Sequence, residues 1–529
     1  MPERAMGGHV PADATDMTPA TFDLCLAQRA ADLPDNVAVF DATETLTYSE
    51  LNAKVEALAG RLAAQDIIVG TRVALIADNS THHLVAAFAI WRAGGTLVTI
   101  YPSSTESELR YALTAAQPSL IIAGTRILPS VVAAVDHLSV TTCELTADGE
   151  VLGLAARPVP GLPTLEVDAL ALICYTSGST ANPKAVMHTH AGLCAAAATY
   201  AEVWRLGTDD TTLVALPLAW AFGLVTTSMA TLLAGGSVLL LARSNPADML
   251  RNFADHDVTF FAGVTTMFVK MLQTLEADPS LPRPGTIRLC ISGGEPRNEI
   301  AFDRWYGLTG CPVHDVYAAS ECFPVVTYDP VADPLPRPGC AGRVVPGARL
   351  QLVDSDGNQV EPGTPGEAWT RGPATTIGYW ADPELTAATL TADGWYRTGD
   401  LVDIDSDGYV HVLGRLTDLI IRGGANVSPA EVEAVLTRHP DVREATVVGL
   451  PDPQYGECVI AAVVLEPGVV LDTKALLRHC RASLAGYKVP TRFVNMEELP
   501  RNVSTGKVHR RKVARLLATT EPESNGHPA

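Results

Sequence analysis

Positive charge is scarce in this chain. Its 529 residues hold 38 Lys and Arg against 59 Asp and Glu, a formal net charge of −21. That balance excludes a general binder of nucleic acid or of anionic membrane surfaces. A site for a polyphosphate would be a local exception, so the position of each Lys and Arg is informative. Paired cysteines are also missing. The ten Cys form no Cys-x-x-Cys pair and recur at no zinc spacing. Most lie in apolar runs (Cys174, Cys290, Cys458), as expected of reduced, buried thiols in a cytoplasmic protein. There is no low-complexity tract. Residues 1–17 have no apolar core flanked by basic residues, so a flexible N-terminus is expected rather than a signal peptide. The uncharged stretch Thr211 to Ala242 is cut by Pro217, Gly223 and Gly235-Gly236. It reads as strand, helix, strand, each too short to cross a bilayer.

The length is too great for one core, so at least two domains are expected. Up to about residue 325, helical and strand patterns alternate. Leu51 to Ala64 is helical and Arg72 to Ile76 an apolar strand; Leu84 to Arg92 is helical, followed by Gly94-Gly95 and the strand Thr96 to Ile100. The helix–Gly-Gly–strand cassette recurs at Val225 to Leu241, which predicts two packed α/β sheets of related topology. From Cys340 to Gly414 helical periodicity fades and short strands are predicted at Arg349 to Val353, Gly366 to Thr370 and Tyr409 to Val412. Beyond Arg415, Ser428-Pro429 opens a helix to about Arg438. Strands at Glu444 to Gly449, Val459 to Leu465 and Arg492 to Met496, with a helix at Thr473 to Ser483, complete a separate α+β domain. The boundaries expected are 18–414 for the body (its β-rich part about 330–414), 415–513 for the small domain, and a flexible tail over 514–529.

The most informative segment is Tyr175-Thr176-Ser177-Gly178-Ser179-Thr180-Ala181-Asn182-Pro183-Lys184, after the apolar run Leu170 to Cys174. Its hydroxyls, backbone N–H groups and one mobile cation suit a polyphosphate. It lacks the Gly-x-x-x-x-Gly-Lys-Ser/Thr spacing of the Walker loop. Ser292-Gly293-Gly294-Glu295-Pro296 follows the strand Arg288 to Ile291, and its glycines permit close backbone approach to a ligand. In Asp315-Val316-Tyr317-Ala318-Ala319-Ser320-Glu321 an aromatic face suits a base and a carboxylate suits Mg²⁺. Trp395-Tyr396-Arg397-Thr398-Gly399-Asp400, Gly414-Arg415-Leu416-Thr417-Asp418 and Leu499 to Val508, containing Ser504-Thr505-Gly506-Lys507, complete the set.

These motifs, in this order, resemble those of the AMP-forming adenylating enzymes: acyl- and aryl-CoA ligases, carrier-loading adenylation domains and luciferases. The resemblance covers about residues 20 to 513. It implies a large N-terminal body of two α/β sheets with a small β-barrel-like subdomain, and a small mobile α+β lid. It implies ATP-binding roles for Thr176, Ser177, Gly178, Ser179, Thr180, Lys184, Gly293, Gly294, Glu295, Tyr317 (adenine), Ser320 (α-phosphate), Asp400 (ribose), Arg415 and Lys507. Glu321 and Thr180 would hold the metal, with Lys507, Lys184 and Glu321 catalytic. Trp220, Phe222, Gly263, Thr265, Gly293 and Ala318 would line the acid pocket, Thr417 would be the hinge, and Gly423 and Gly424 would line a thiol channel. Where the family usually has Gly, this chain has Ala181, Ala185 and Ala318; Trp220 excludes the Asp that amino-acid-activating relatives use for an ammonium. The basic residues Arg510, Arg511, Lys512 and Arg515 are expected to form a solvated helix face.

The activity implied is the AMP-forming activation of a carboxylic acid, aryl or medium-chain, with ATP and Mg²⁺, then transfer to the thiol of CoA. Alternative acceptors are a phosphopantetheine carrier protein or, as in nitrite-using diazotases, an aryl amine. A non-catalytic nucleotide-binding scaffold is the reading from another class.

Overall fold

The computed structural model describes residues 21–176, 183–361, 363–501 and 508–519. Two mixed sheets form the body. The eight-stranded sheet runs, in spatial order, Gly378–Tyr379, Lys184–Thr189, Leu170–Thr176, Thr96–Thr99, Arg72–Ile76, Leu120–Gly124, Thr141–Leu145 and Val151–Leu152. Its central strands are parallel and apolar on both faces, so helices must cover both. The nine-stranded sheet runs Arg343–Val344, Cys322–Thr327, Val313–Ala319, Leu289–Gly293, Phe260–Gly263, Thr211–Val214, Ser237–Leu240, Val37–Phe40 and Thr45–Thr47. One hydrophobic cluster takes Val73 and Leu75 from the first sheet and Val214, Leu240 and Leu289 from the second. The helix Thr81–Arg92 is buried along its whole length, and it contributes Leu84, Phe88 and Trp91 to that cluster. The two cassettes predicted from sequence each supply one sheet, as expected.

Thr211 to Ala242 is strand, helix, strand, but the helix is unusual. Phe222–Met229 is a π-helix that continues as the α-helix Ala230–Ala234 and ends on left-handed Gly235 (φ 86°). Among the described residues no helix is long and apolar enough to cross a membrane. All ten Cys are free thiols, eight of them buried.

The β-rich region forms an open four-stranded antiparallel sheet of Arg349–Val353, Gly366–Arg371, Tyr396–Ile404 and Val410–Arg415. The barrel-like closure expected of it is not made, because its outer strands pair with no common neighbour. Two further short strands of the region leave it. Arg343–Val344 joins the edge of the nine-stranded sheet, and Gly378–Tyr379 the edge of the eight-stranded one.

After Arg415 the chain builds a five-stranded sheet around Gly456–Leu465, with Val442–Asp452 antiparallel and Arg492–Asn495 parallel to it. Helices Pro429–Leu436 and Thr473–Ser483 cover one face, supplying Val432, Leu436, Leu476 and Cys480 to its core. The helix Arg510–Thr519 covers the other, where Val513 and Leu517 pack on Val448, Ile460 and Val464. This corrects two expectations. The chain from 514 to 519 continues a helix rather than forming a flexible tail, because Leu517, one turn on from Val513, has a core to enter. Arg510 is not part of a solvated face. It bonds both carboxylate oxygens of buried Glu433 and the Val447 carbonyl, while Arg511, Lys512 and Arg515 are exposed. The expected flexible segments 1–17 and 520–529 lie outside the described residues.

Candidate active site

In sheets of this kind ligands sit beyond the carboxyl ends of the parallel strands. On one side of the nine-stranded sheet the parallel run ends at Val313–Ala319. That strand is parallel to Leu289–Gly293 but antiparallel to Cys322–Thr327. Ala319 pairs with Cys322, so Ser320 and Glu321 form the two-residue turn between the antiparallel strands. Four contacts fix that turn. His188 Nε2 lies 2.7 Å from the Ser320 carbonyl and donates to it. The Thr376 N–H donates to the Glu321 carbonyl at 2.7 Å. The Tyr379 hydroxyl donates to Glu321 Oε1 at 2.8 Å. Packing of His188 against Phe323, centroids 5.2 Å apart, adds the fourth. Burial lowers the His188 pKa to about 4, so the ring is neutral at physiological pH and carries its proton on the nitrogen facing the carbonyl.

Beside this turn, Asp400 is buried in the strand Tyr396–Ile404 and pairs in register with Arg415. The Tyr317 hydroxyl donates to Asp400 Oδ2 at 2.8 Å, and Arg415 Nε lies 2.8 Å from Oδ1. Burial pushes the Asp400 carboxyl above its ordinary range, opposed first by the Arg415 charge and then by the Tyr317 hydroxyl, while the charge of Glu321 raises it further. Thr398 fixes the backbone, accepting from the Asp400 N–H at 2.9 Å and donating to the Ala368 carbonyl at 2.7 Å. Tyr317, Asp400, Arg415 and Glu321 thus stand in one electrostatic neighbourhood.

The strands that flank the hydroxyl-rich segment pair antiparallel, with Thr176 opposite Lys184. Lys184 Nζ lies 5.6 Å above the Tyr379 ring. Ser177, Gly178, Ser179, Thr180 and Ala181 lie outside the described residues, as does Lys507. Ala185 has its methyl in the cluster with Tyr175 and Ile173, and its carbonyl accepts the Trp380 N–H at 2.8 Å. The side chain that replaces a glycine here is absorbed by the core.

Gly293 ends its strand, and a Cβ there would stand 2.6 Å from Val316 Cγ1 and 3.2 Å from Phe222 Cε1. Gly294 is left-handed at φ 76°. Trp220 and Phe222 meet edge-on, 5.6 Å between centroids at 87°. Gly263 lies against Phe261 and Met267, and the Thr265 hydroxyl bridges Ser292 Oγ and the Pro296 carbonyl. Ala318 is half-buried beside them, packed against the same cluster. The Glu295 carboxylate is otherwise engaged: it accepts the Thr266 N–H and hydroxyl, both at 2.8 Å, and so caps the helix Thr265–Ala277.

In the C-terminal part, Thr417 lies exposed in the 3₁₀ turn Leu416–Asp418. Gly423 and Gly424, at φ 60° and 82°, are the exposed tip of the hairpin Ile420–Arg422 to Ala425–Val427. Two successive left-handed residues are what a tight two-residue hairpin turn demands, so the pair has a backbone reason of its own. Val508 pairs with Arg501, and the His509 N–H donates to the Pro500 carbonyl at 2.7 Å, so the chain on either side of Lys507 is pinned together.

Tyr379, His188 and Thr376 escape a reading of the sequence, because their partners are 58 to 189 positions away. The available signal was the Gly378-Tyr379-Trp380 run just before the helix start Asp382-Pro383.

The described part of the site is a strand pair flanking a hydroxyl-rich segment, a tyrosine–aspartate–arginine cluster and a carboxylate in a tight turn, and the chain that carries it is an ATP-dependent adenylating enzyme. The comparisons with known proteins agree. The chain belongs to the AMP-binding enzyme family: residues 26–380 match the AMP-binding enzyme domain and 431–507 the AMP-binding enzyme C-terminal domain. It is 35% identical over 492 residues to a feruloyl-CoA synthase of an Amycolatopsis species, covering 92% of this chain and 97% of that one. It is 32% identical over 518 residues to a sulfoacetate–CoA ligase of Cupriavidus necator, covering 94% and 98%. The crystal structure of ATP-bound MatB from Rhodopseudomonas palustris superposes with a TM-score of 0.86 at 31% identity, covering 94% and 99%. The protein is an enzyme of the AMP-forming acid–thiol ligase type.

Proposed function

We propose that the enzyme converts an aryl or medium-chain carboxylic acid into its acyl-adenylate and passes the acyl group to the thiol of CoA. The observation that carries this reading is the convergence of Tyr317, Asp400 and Arg415 beside the Ser320–Glu321 turn. Asp400, already oriented by two donors, would accept the ribose hydroxyls through its remaining lone pairs, and the face of Tyr317 would meet the adenine. Arg415 and Ser320 would meet the ribose or α-phosphate. Thr176, Lys184 and the segment Ser177 to Thr180 would hold the β- and γ-phosphates. Among the described residues no three His, Cys, Asp or Glu side chains gather into a metal cage. A single buried carboxylate, Glu321, instead fits Mg²⁺ that arrives with the phosphates and neutralises their charge.

The acid's carboxylate attacks the α-phosphate and pyrophosphate leaves. Positioning and charge stabilisation suffice for this step, in which the Lys507 ammonium would act on the carboxylate and α-phosphate. Rotation at Thr417 then exchanges Lys507 for the Gly423-Gly424 tip, along which a pantetheine thiol would reach the acyl carbon and release AMP. The pocket supports an uncharged acyl group. Trp220, Phe222, Gly263, Thr265, Gly293 and Ala318 offer no charge, and Val316 and Phe222 close in behind Gly293.

Purified protein is to be incubated with ATP, Mg²⁺ and a panel of acids, following ATP–pyrophosphate exchange, and then with CoA. The expected outcome is exchange with an aryl or medium-chain acid and the mass of its CoA thioester. Transfer only to a phosphopantetheine carrier would change the acceptor, and a nitrite-dependent product on an aryl amine would overturn the thiol. No pyrophosphate release with any acid would favour a non-catalytic scaffold. Lys507→Ala is expected to abolish exchange; exchange that survives while thioester formation is lost would remove Lys507 from the first step.

A further inference from the structure

We infer that Tyr379 is a positioning residue that holds the Lys184 cation and the Glu321 carboxylate apart and aims both at one bound polyphosphate. This rests on the reading of Glu321 as the metal carboxylate. Tyr379 reaches both groups from a segment distant from either in sequence. The strand Gly378–Tyr379 pairs with Lys184–Thr189, Tyr379 opposite Val186, two residues from Lys184. The ring is 3% exposed. Its face carries the Lys184 ammonium at 5.6 Å and its hydroxyl donates to Glu321 Oε1 at 2.8 Å.

The backbone around Tyr379 acts as a strap over the same two elements. On one side the Ile377 N–H and the Thr376 hydroxyl donate to the Met187 carbonyl, and the Trp380 N–H to that of Ala185. On the other the Thr376 N–H donates to the Glu321 carbonyl. The Tyr379 N–H is anchored on the Thr386 hydroxyl at 2.9 Å. Gly378, at φ 132°, lets the strap bend there, where a Cβ would stand 2.8 Å from Thr386 Cγ2.

The physical consequence concerns two opposite charges in a partly dry site. An ammonium and a carboxylate free to meet would pair and neutralise each other. A ring whose quadrupole holds the cation on its face, and whose hydroxyl holds the anion at its edge, prevents this. It also occupies one carboxylate oxygen and leaves the other clear of it for a metal. Partners that orient a ligating carboxylate typically contribute 10- to 100-fold to metal affinity.

The test uses the full-length chain and calorimetric titration of ATP, with Mg²⁺ and with EDTA, in the wild type, Tyr379→Phe and Glu321→Gln. Phe keeps the ring and its packing and removes only the hydroxyl; thermal melts check that both variants are folded. The readout is the ratio of Kd without Mg²⁺ to Kd with it. Tyr379→Phe is expected to lower this ratio about tenfold, in the same direction as Glu321→Gln. A ratio unchanged in Tyr379→Phe but lowered in Glu321→Gln would overturn the role of Tyr379 and leave the metal assignment standing. A ratio unchanged in Glu321→Gln would remove the metal assignment and this inference with it.

Discussion

Asp400 shows how little freedom a site residue has. Its two carboxylate oxygens face a phenol and a guanidinium, both donors, at 2.8 Å. Asp400→Asn turns one of those oxygens into an amide NH₂ that must confront a donor. Hydrogen bonds to charged groups contribute about 1.5–3 kcal/mol, so ATP binding is expected to weaken about 10- to 100-fold, read as a rise in the KM for ATP. Gly293 is constrained by space. Gly293→Ala would press its methyl on Val316 and Phe222. The expected result is a loss of kcat/KM that grows with the size of the acid, with overpacking costing about 1–3 kcal/mol of stability. Val316→Ala in the same chain should recover much of both, which acid-dependent kinetics and thermal melts would show. The sequence singles out Tyr317, Asp400 and Arg415 because each sits in a short motif of characteristic order, and the structure brings the three side chains together. The capping of a helix by Glu295 was not legible there, since Thr266 lies 29 positions away and no local pattern records the bond.

At the scale of elements, the π-helix Phe222–Met229 carries a wall of the proposed acid pocket. Its wide turns leave carbonyls for side chains to satisfy: Thr227 donates to the Phe222 carbonyl and Ser228 to that of Gly223 at 2.7 Å. A Cβ on Gly223 would meet the Pro217 carbonyl oxygen at 2.5 Å. Gly223→Ala is therefore expected to displace Trp220 and Phe222, lowering the melting temperature by several degrees and raising the KM for the acid more than that for ATP. The helix was legible from its uncharged run between Pro217 and Gly235, but its π geometry was not, because a segment buried on every side leaves no periodic trace. The helix Thr473–Ser483 was legible to its ends, since Asp472 caps it. Arg510 misled for the opposite reason. A basic residue in a basic run reads as solvated, and only the fold brings buried Glu433 to it. Removing that guanidinium strands a buried carboxylate, so Arg510→Ala is expected to cost about 3–5 kcal/mol, while Arg510→Met with Glu433→Leu costs much less. Chemical denaturation of the two variants would show the difference.

At the scale of the whole molecule, buried imidazoles set the response to acid. Burial lowers His83, His188 and His190 from 6.5 to about 4. The unfolded chain therefore binds protons that the folded one refuses. Each group contributes stability present above pH 6.5 and lost as pH falls toward 4, on the order of 3 kcal/mol for a shift of this size. Asp315 acts in the other direction. Burial raises it to about 6 against the pull of Arg297, so its contribution is present below its ordinary value of 3.8 and lost as pH rises through 6. Asp400, which burial also raises, acts in the same direction as Asp315. The three imidazoles outweigh the two carboxyls, and the melting temperature is expected to fall steadily from pH 7 to pH 4.5. His188→Gln should flatten part of that slope.

The strands Arg343–Val344 and Gly378–Tyr379 give the middle of the chain a hold on both large sheets at once. Cutting the polypeptide near residue 330 would therefore strip a border from each, baring the hydrogen-bonding rows of Cys322–Thr327 and Lys184–Thr189. Uncovered strand borders invite pairing between molecules. The first three-fifths of the chain is then no autonomous module, and a fragment of that length should clump rather than bind nucleotide.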